Sequence, residues 1–197
     1  MKRIVSDGRR QSEPYERRRQ QLIAEYVRGD VLDLGHAQLT NPWLDGSRTT
    51  GVDLVAPDEP SGYREDLVGS VMELDQVVGG RRFDTVVAAE LIEHLEQPYD
   101  FLRSIREVLT DDGRLVLTTP NPLGFPVLFL ELLRSTRFFW TTDHTYYFLP
   151  RWMRRMLEFS GFELVATVPV GIWLPFGYIP WSPVAMSYQL VYVAEPR

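Results

Sequence analysis

Apolar positions along the chain switch period several times, and the switches mark out alternating helices and strands. Leu22, Ile23, Tyr26 and Val27 recur at helical spacing. Ser12 is placed to cap that helix, and Pro14 sits in its first turn, where a missing N–H costs nothing. Asp30 to Gly35 then gives a short apolar run ending in glycine, the pattern of a buried strand. Asn41 before Pro42 starts a short helix. Thr49 to Leu54 reads as a second strand and Tyr63 to Leu67 as a weak third. A helix around Val71 to Val78 follows, and Phe83 to Ala89 is a firm fourth strand.

The second half continues the alternation and then breaks it. Phe101, Leu102, Ile105, Val108 and Leu109 form one helical stripe, closed by a turn at Asp111-Asp112-Gly113. Arg114 to Thr119 is the fifth strand, ended by Pro120-Asn121-Pro122. Residues 123–147 are apolar and aromatic without clean period. Pro150 opens a helix with Trp152, Met153, Met156 and Leu157 on one face, and Gly161 stops it. Phe162 to Val168 and Tyr188 to Val193 are the last strands. Gly171 to Trp181 between them holds too much Pro and Gly for regular structure.

Strands alternating with helices predict an α/β fold: a doubly wound, seven-stranded, mostly parallel sheet with a C-terminal antiparallel strand. At 197 residues the chain suits one domain, 1–197. Within it, 1–28 is a basic N-terminal helix that acts as a lid, and 121–147 and 169–186 are insertions on the substrate side.

Composition narrows the chemistry. There is no cysteine, which excludes disulfides, thiolate nucleophiles and cysteine-bound metal. With no secretory signal either, a cytoplasmic location is the default. No apolar run reaches the length of a transmembrane segment. The net charge of −6 argues against a nucleic-acid partner. The arginines of residues 1–28 are interleaved with Glu13, Glu16 and Glu25, which reads as a solvated helix face.

Open α/β sheets bind ligands beyond the carboxyl ends of their strands, where the winding reverses. Three carboxylates fall there: Asp33 beside Gly35, Asp53 twenty residues later, and Asp66. An acid at the second strand's end can accept two hydrogen bonds from a ribose diol, and a glycine lets backbone approach a ligand. Three such acids suit a nucleoside bearing positive charge. They suit a pyrophosphate poorly, since that wants bare N–H groups at a helix start.

The motifs Val31-Leu-Asp-Leu-Gly35, Gly51-Val-Asp-Leu54, Glu65-Asp66-Leu67, Phe83 to Leu91, Glu93-His94-Leu95 and Leu109 to Leu117 together resemble the ordered motifs of class I S-adenosylmethionine-dependent methyltransferases. The stretch from Asp143-His144 to Phe162 is similar to the small-molecule and sugar branch. The resemblance covers residues 27–168. It implies S-adenosylmethionine as cofactor and S-adenosylhomocysteine as product. It places Asp33 and Gly35 by the methionine part, Asp53 on the ribose hydroxyls, and Asp66 and Leu67 around the adenine, with Leu34, His36, Ala37 and Leu54 as further cofactor-binding residues. Ala89, Glu90 and Leu91 would line the cofactor after the fourth strand, and His94 would lie near the transferred methyl. The chain departs from the family at the first loop, which usually reads Asp-x-Gly-x-Gly-x-Gly. Here it is Asp33-Leu-Gly-His-Ala-Gln-Leu39, and Leu39 is the hardest residue to fit beside a ligand.

Methyl transfer to an oxygen needs a base, and histidine titrates in the right range. His94 and His144 are the catalytic candidates, the second beside Asp143. No metal is expected: of the oxygen ligands Glu90, Asp111, Asp112 and Asn121, two already serve a turn. The implied reaction is methyl transfer to a small-molecule or glycan acceptor, at an oxygen. The aromatics of the two insertions fit a lipid-linked or sugar acceptor. They fit a homodimer interface or a membrane-surface contact as well, and all of these stay open. Two other functions compete: a catalytically silent methyltransferase-fold binding partner, favoured by Leu39, and a nicotinamide-dependent oxidoreductase, disfavoured because Lys2 is the only lysine.

Overall fold

The computed structural model describes residues 14–125, 128, 144–174 and 177–197. In chain order the main elements are helix α1 (Pro14–Tyr26), strands β1 (Val31–Leu34), β2 (Thr49–Asp53) and β3 (Glu65–Val68), helix α2 (Leu74–Val78), strand β4 (Phe83–Ala89), helix α3 (Pro98–Val108), strand β5 (Leu109–Pro120), helix α4 (Pro150–Phe159), and strands β6 (Phe162–Pro169), β7 (Ile172–Leu174), β8 (Gly177–Ile179) and β9 (Gln189–Pro196). Seven strands form one sheet in the order β3-β2-β1-β4-β5-β9-β6. Pairs from β3 through β5 are parallel, and β9 runs antiparallel to both β5 and β6. The expected fold class is the one observed, with the winding reversing between β1 and β4.

Side-chain alternation in the strands decides what each face of the sheet meets. Leu32, Leu34, Val86, Ala88, Leu115 and Leu117 point to the face covered by α2, α3 and α4, and pack with Phe101, Ile105 and Met153. Val31, Val87, Val116 and Val191 point the other way and pack with Leu22 and Ile23 of α1. Asp33, two residues after Val31, therefore shares the face that α1 covers. That parity puts a carboxylate beneath a helix.

Several elements differ from their expected form. No helix starts at Asn41; its side chain instead caps a tight turn by accepting from the Trp43 N–H at 3.0 Å, and a single 3₁₀ turn follows at Gly46–Arg48. The helix expected over Val71 to Val78 is confined to Leu74–Val78. Asp111-Asp112-Gly113 closes no helix. These residues lie inside β5, where pairing with β4 jumps from Phe83↔Leu109 to Thr85↔Arg114 and the extra residues bulge out. The Pro- and Gly-rich segment between β6 and β9 is not irregular: Ile172 pairs with Ile179 and Leu174 with Gly177 in a small antiparallel ribbon. Ser12, Asp143, Phe176 and most of the aromatic insertion lie outside the described residues. Among the described residues no helix is long and apolar enough to cross a membrane.

Candidate active site

At the carboxyl ends of β1, β2 and β4, under α1, lies a cavity of about 430 Å³. Asp33, Gly35 and Asp53 reach it from the strand tips, Glu90 and His94 from the segment after β4, and Arg19 and Gln20 from α1. A cavity of this size is in the range of cofactor sites.

Asp33 is the most constrained of these groups. It is buried, and its carboxylate accepts from the Tyr63 hydroxyl at 2.7 Å. Burial pushes its pKa up to about 6; the Tyr63 hydrogen bond and His36 pull it down, and Asp53 adds to the rise. Tyr63 in turn accepts from the Asn41 N–H at 3.1 Å, and Asn41 donates to the Gln20 carbonyl of α1 at 3.2 Å. One chain of hydrogen bonds thus ties the floor of the cavity to the helix above it. Burial and the adjoining Asp33 charge raise the Tyr63 hydroxyl far above its ordinary range, so it keeps the proton it donates to Asp33.

The loop after β1 explains how the chain manages without the family's later glycines. Gly35 ends the strand at φ 76°, a conformation that favours glycine. His36 then folds back and is buried over Gly51: a Cβ added at Gly51 would lie 2.4 Å from its ring. The imidazole stacks on Tyr63, with ring centroids 5.5 Å apart, and its Nε2 lies 2.7 Å from Asp66 Oδ1. The Ala37 N–H donates to Asp53 Oδ2 at 2.9 Å, so the loop orients that carboxylate. Leu39 is among the residues that line the cavity, and it stays 44% exposed.

Past β4 the backbone is strained. Glu90 is the one described non-glycine residue with positive φ, at 52°. Its carboxylate is fully engaged: Gln189 donates to Oε2 at 2.7 Å, Thr118 donates to Oε1 at 2.9 Å, and Arg19 of α1 lies 3.5 Å away.

Glu93 has the opposite circumstances. It sits in a 3₁₀ turn, Ile92–His94, with its side chain 0% exposed and neither carboxylate oxygen in a completed hydrogen bond. Burial, with the Glu90 charge adding to it, pushes its pKa up to about 9. The Thr119 hydroxyl close by only partly eases the charge. The Glu93 carbonyl accepts from Thr145 N at 2.8 Å and Tyr146 N at 3.2 Å. Those bonds bring the segment after the insertion alongside, and the His94 and His144 rings meet edge to face with centroids 4.6 Å apart. One ligand atom each from Glu93, His94 and His144 lie within 4.8 Å of one another.

Of the residues expected at the site, Asp33, Leu34, Gly35, His36, Asp53, Ala89, Glu90, Leu91 and His94 line the one cavity. Ala37, Leu54, Asp66 and Leu67 are not among its lining residues. Ala37 acts through its amide on Asp53, Leu54 is exposed, and Asp66 is taken up by His36 and by Ser61, which donates to it at 2.8 Å. His144 joins His94, 50 residues away in sequence. Sequence reasoning missed Arg19, Tyr63, Asn41 and Glu93. Arg19 is hidden in a run of three arginines, and Tyr63 carries no motif. Glu93 stands beside a singled-out histidine, and its burial is the signal that only the fold supplies.

The sequence profile of a family described as "Methyltransferase domain" matches residues 8–167. Two curated ubiquinone biosynthesis O-methyltransferases are similar in part. The mitochondrial one of Schizosaccharomyces pombe is 54% identical over 37 residues, 19% of this chain and 14% of the relative. That of Cereibacter sphaeroides is 36% identical over 63 residues, 32% of this chain and 25% of the relative. The chain thus spans at most a quarter of the length of these relatives. Among solved structures, a Burkholderia thailandensis 1,6-didemethyltoxoflavin-N1-methyltransferase with bound 1,6-didemethyltoxoflavin and S-adenosylhomocysteine superposes with a TM-score of 0.63 at 20% sequence identity, covering 94% of this chain and 79% of that one.

Proposed function

Because the chain belongs to the class I S-adenosylmethionine-dependent methyltransferase family, matched from residue 8 to residue 167, we propose that it transfers a methyl group from S-adenosylmethionine to an oxygen of a small-molecule acceptor. The observation that carries this reading is the cavity under α1, where the carboxylates of Asp33, Asp53 and Glu90 converge. An acid-lined space of about 430 Å³ fits a cationic nucleoside and disfavours a phosphate.

In this reading Asp53 accepts from the ribose hydroxyls with its orientation set by the Ala37 amide. Asp33, held by Tyr63, faces the charged methionine end, where a cationic neighbour offsets its burial. Glu90, Leu91 and Ala89 line the space beyond β4. Helix α1 excludes water from above, through Arg19 on Glu90 and Gln20 on Asn41. When bound, S-adenosylmethionine supplies an electrophilic methyl carbon, so the chain's own work is alignment, desolvation and handling of the acceptor's proton. His94 and His144 are the groups proposed for the acceptor's side. Oxygen as the receiving atom has its support in the relatives, which are O-methyltransferases of ubiquinone biosynthesis. The insertions at 121–147 and 169–186 are proposed to shape the acceptor pocket, with a lipid-linked or glycan acceptor as the class their aromatics suit.

Calorimetric titration with S-adenosylhomocysteine tests the cofactor. Saturable binding is expected. Asp53→Ala should weaken it by roughly 10–100-fold, the scale of one or two hydrogen bonds to a charged group. Absence of binding at millimolar ligand overturns the reading.

A further inference from the structure

We propose that Glu93, His94 and His144 form a binding site for one divalent first-row transition metal ion, which holds the hydroxyl of the methyl acceptor. This deepens the reading of the preceding subsection and rests on it for the identity of the reaction, though the ion site itself stands on separate observations.

Three observations point to it. One oxygen of Glu93 and one ring nitrogen from each histidine lie within 4.8 Å of one another. Ligands around an ion at about 2.1 Å sit about 3.4 Å apart, so the three atoms lie within about 1.5 Å of a ligating arrangement. Next, the Glu93 carboxylate is fully buried and neither of its oxygens completes a hydrogen bond. A buried acid left in that condition is costly unless a proton or a cation meets it. Last, the backbone holds the ligands together: Glu93 and His94 share one 3₁₀ turn, and the Glu93 carbonyl accepts from Thr145 and Tyr146, the residues that follow His144.

The donor set selects the ion. Two imidazoles with one carboxylate suit zinc, manganese, cobalt or iron; a site for magnesium would be all oxygen. Glu90, close by, is excluded as a ligand because Gln189, Thr118 and Arg19 already engage its oxygens. Three protein ligands leave positions open for water or substrate, the arrangement of a catalytic site. His94 also lines the cavity under α1, so an ion held there would adjoin the space assigned to the cofactor. The ligand class that follows is an acceptor with a phenolic or sugar hydroxyl. Coordination lowers the pKa of that hydroxyl. Its O–H bond breaks, the electron pair stays on oxygen, and the proton leaves to bulk water.

The test uses the full chain freed of metal with a chelator and titrated with Co²⁺, read by visible absorption and by calorimetry. One ion per chain is expected, with absorption bands of a nitrogen- and oxygen-ligated low-coordinate Co²⁺. Glu93→Gln and the double variant His94→Ala/His144→Ala should each weaken Co²⁺ by well over tenfold, since even outer partners of metal ligands are worth about 10–100-fold. Thermal melting and S-adenosylhomocysteine binding report that each variant is folded. Absence of Co²⁺ and Mn²⁺ binding at millimolar ion overturns the proposal, as does stoichiometric binding undiminished in the double variant. Metal binding without S-adenosylhomocysteine binding would sink the methyltransferase reading and leave the ion site standing. The reverse pattern would sink the ion site alone.

Discussion

The two sides of the cavity are built on different terms. On the β1 and β2 side each of the three strand-tip carboxylates has a protein partner: Asp33 with Tyr63, Asp53 with the Ala37 amide, Asp66 with His36. On the far side of β4, Glu90 is likewise engaged, but three residues later Glu93 is buried with neither oxygen hydrogen-bonded. A wall whose groups satisfy one another keeps its shape without ligand, which is what a cofactor shared by a whole family needs. A buried acid without hydrogen bonds is costly unless a proton or a cation meets it. In the reading proposed above, recognition of the cofactor belongs to the first side and ion-dependent chemistry to the second.

The largest expected effect breaks the two sides apart. Replacing His94 and His144 together by alanine should leave S-adenosylhomocysteine affinity within about threefold while turnover falls by roughly 10²–10⁴-fold, the usual worth of a positioned proton-handling group. Turnover is read as S-adenosylhomocysteine formed with a panel of phenolic and sugar acceptors. Equal loss of cofactor binding and turnover would show that the sides are not separable.

Asp33 offers an effect of intermediate size. Its carboxyl binds a proton more tightly in the folded chain, near pH 6, than in the unfolded one, near 3.8. The folded state therefore loses stability as pH rises from about 4 through 6, and the whole penalty is present above that. Asp33→Asn, which keeps an acceptor for Tyr63, should be indistinguishable from the parent below pH 4. Above pH 6 it should be more stable by on the order of 2–3 kcal/mol, while binding S-adenosylhomocysteine less well. Chemical denaturation across pH checks this, and a gap that fails to widen between pH 4 and 6 refutes the account.

The smallest effect concerns Leu39. Its side chain is half exposed, so Leu39→Ala should change S-adenosylhomocysteine affinity by less than about threefold. A gain of tenfold or more would mean that Leu39 obstructs the cavity and that the glycine-poor loop is a defect of binding.

The sheet was legible because strand and helix periods are local. The runs 31–34, 49–53 and 83–89 end at or just before Gly35, Asp53 and Glu90, and the structure keeps those residues at the strand tips. Three features escaped because they depend on partners far along the chain. The β7–β8 ribbon forms across Pro- and Gly-rich sequence whose local preference is against it. Asp111 to Gly113 has the composition of a turn, yet pairing on either side of it with Phe83 and Thr85 draws it into β5 as a bulge. Asp66 looked free to face an adenine, and the residue that takes it up, His36, is 30 positions earlier. The same holds for Glu93, whose burial comes from packing and leaves no trace in its motif.

Position 51 concentrates the tolerance of this architecture into a single hydrogen atom. With the His36 ring only 2.4 Å from where a methyl carbon would stand, even alanine there must evict the imidazole. Asp66 then loses its imidazole partner and keeps only Ser61, Tyr63 loses its stacking surface, and the turn that presents the Ala37 amide loses its anchor. A change in the middle of β2, touching no ligand, thereby loosens three strand tips at once.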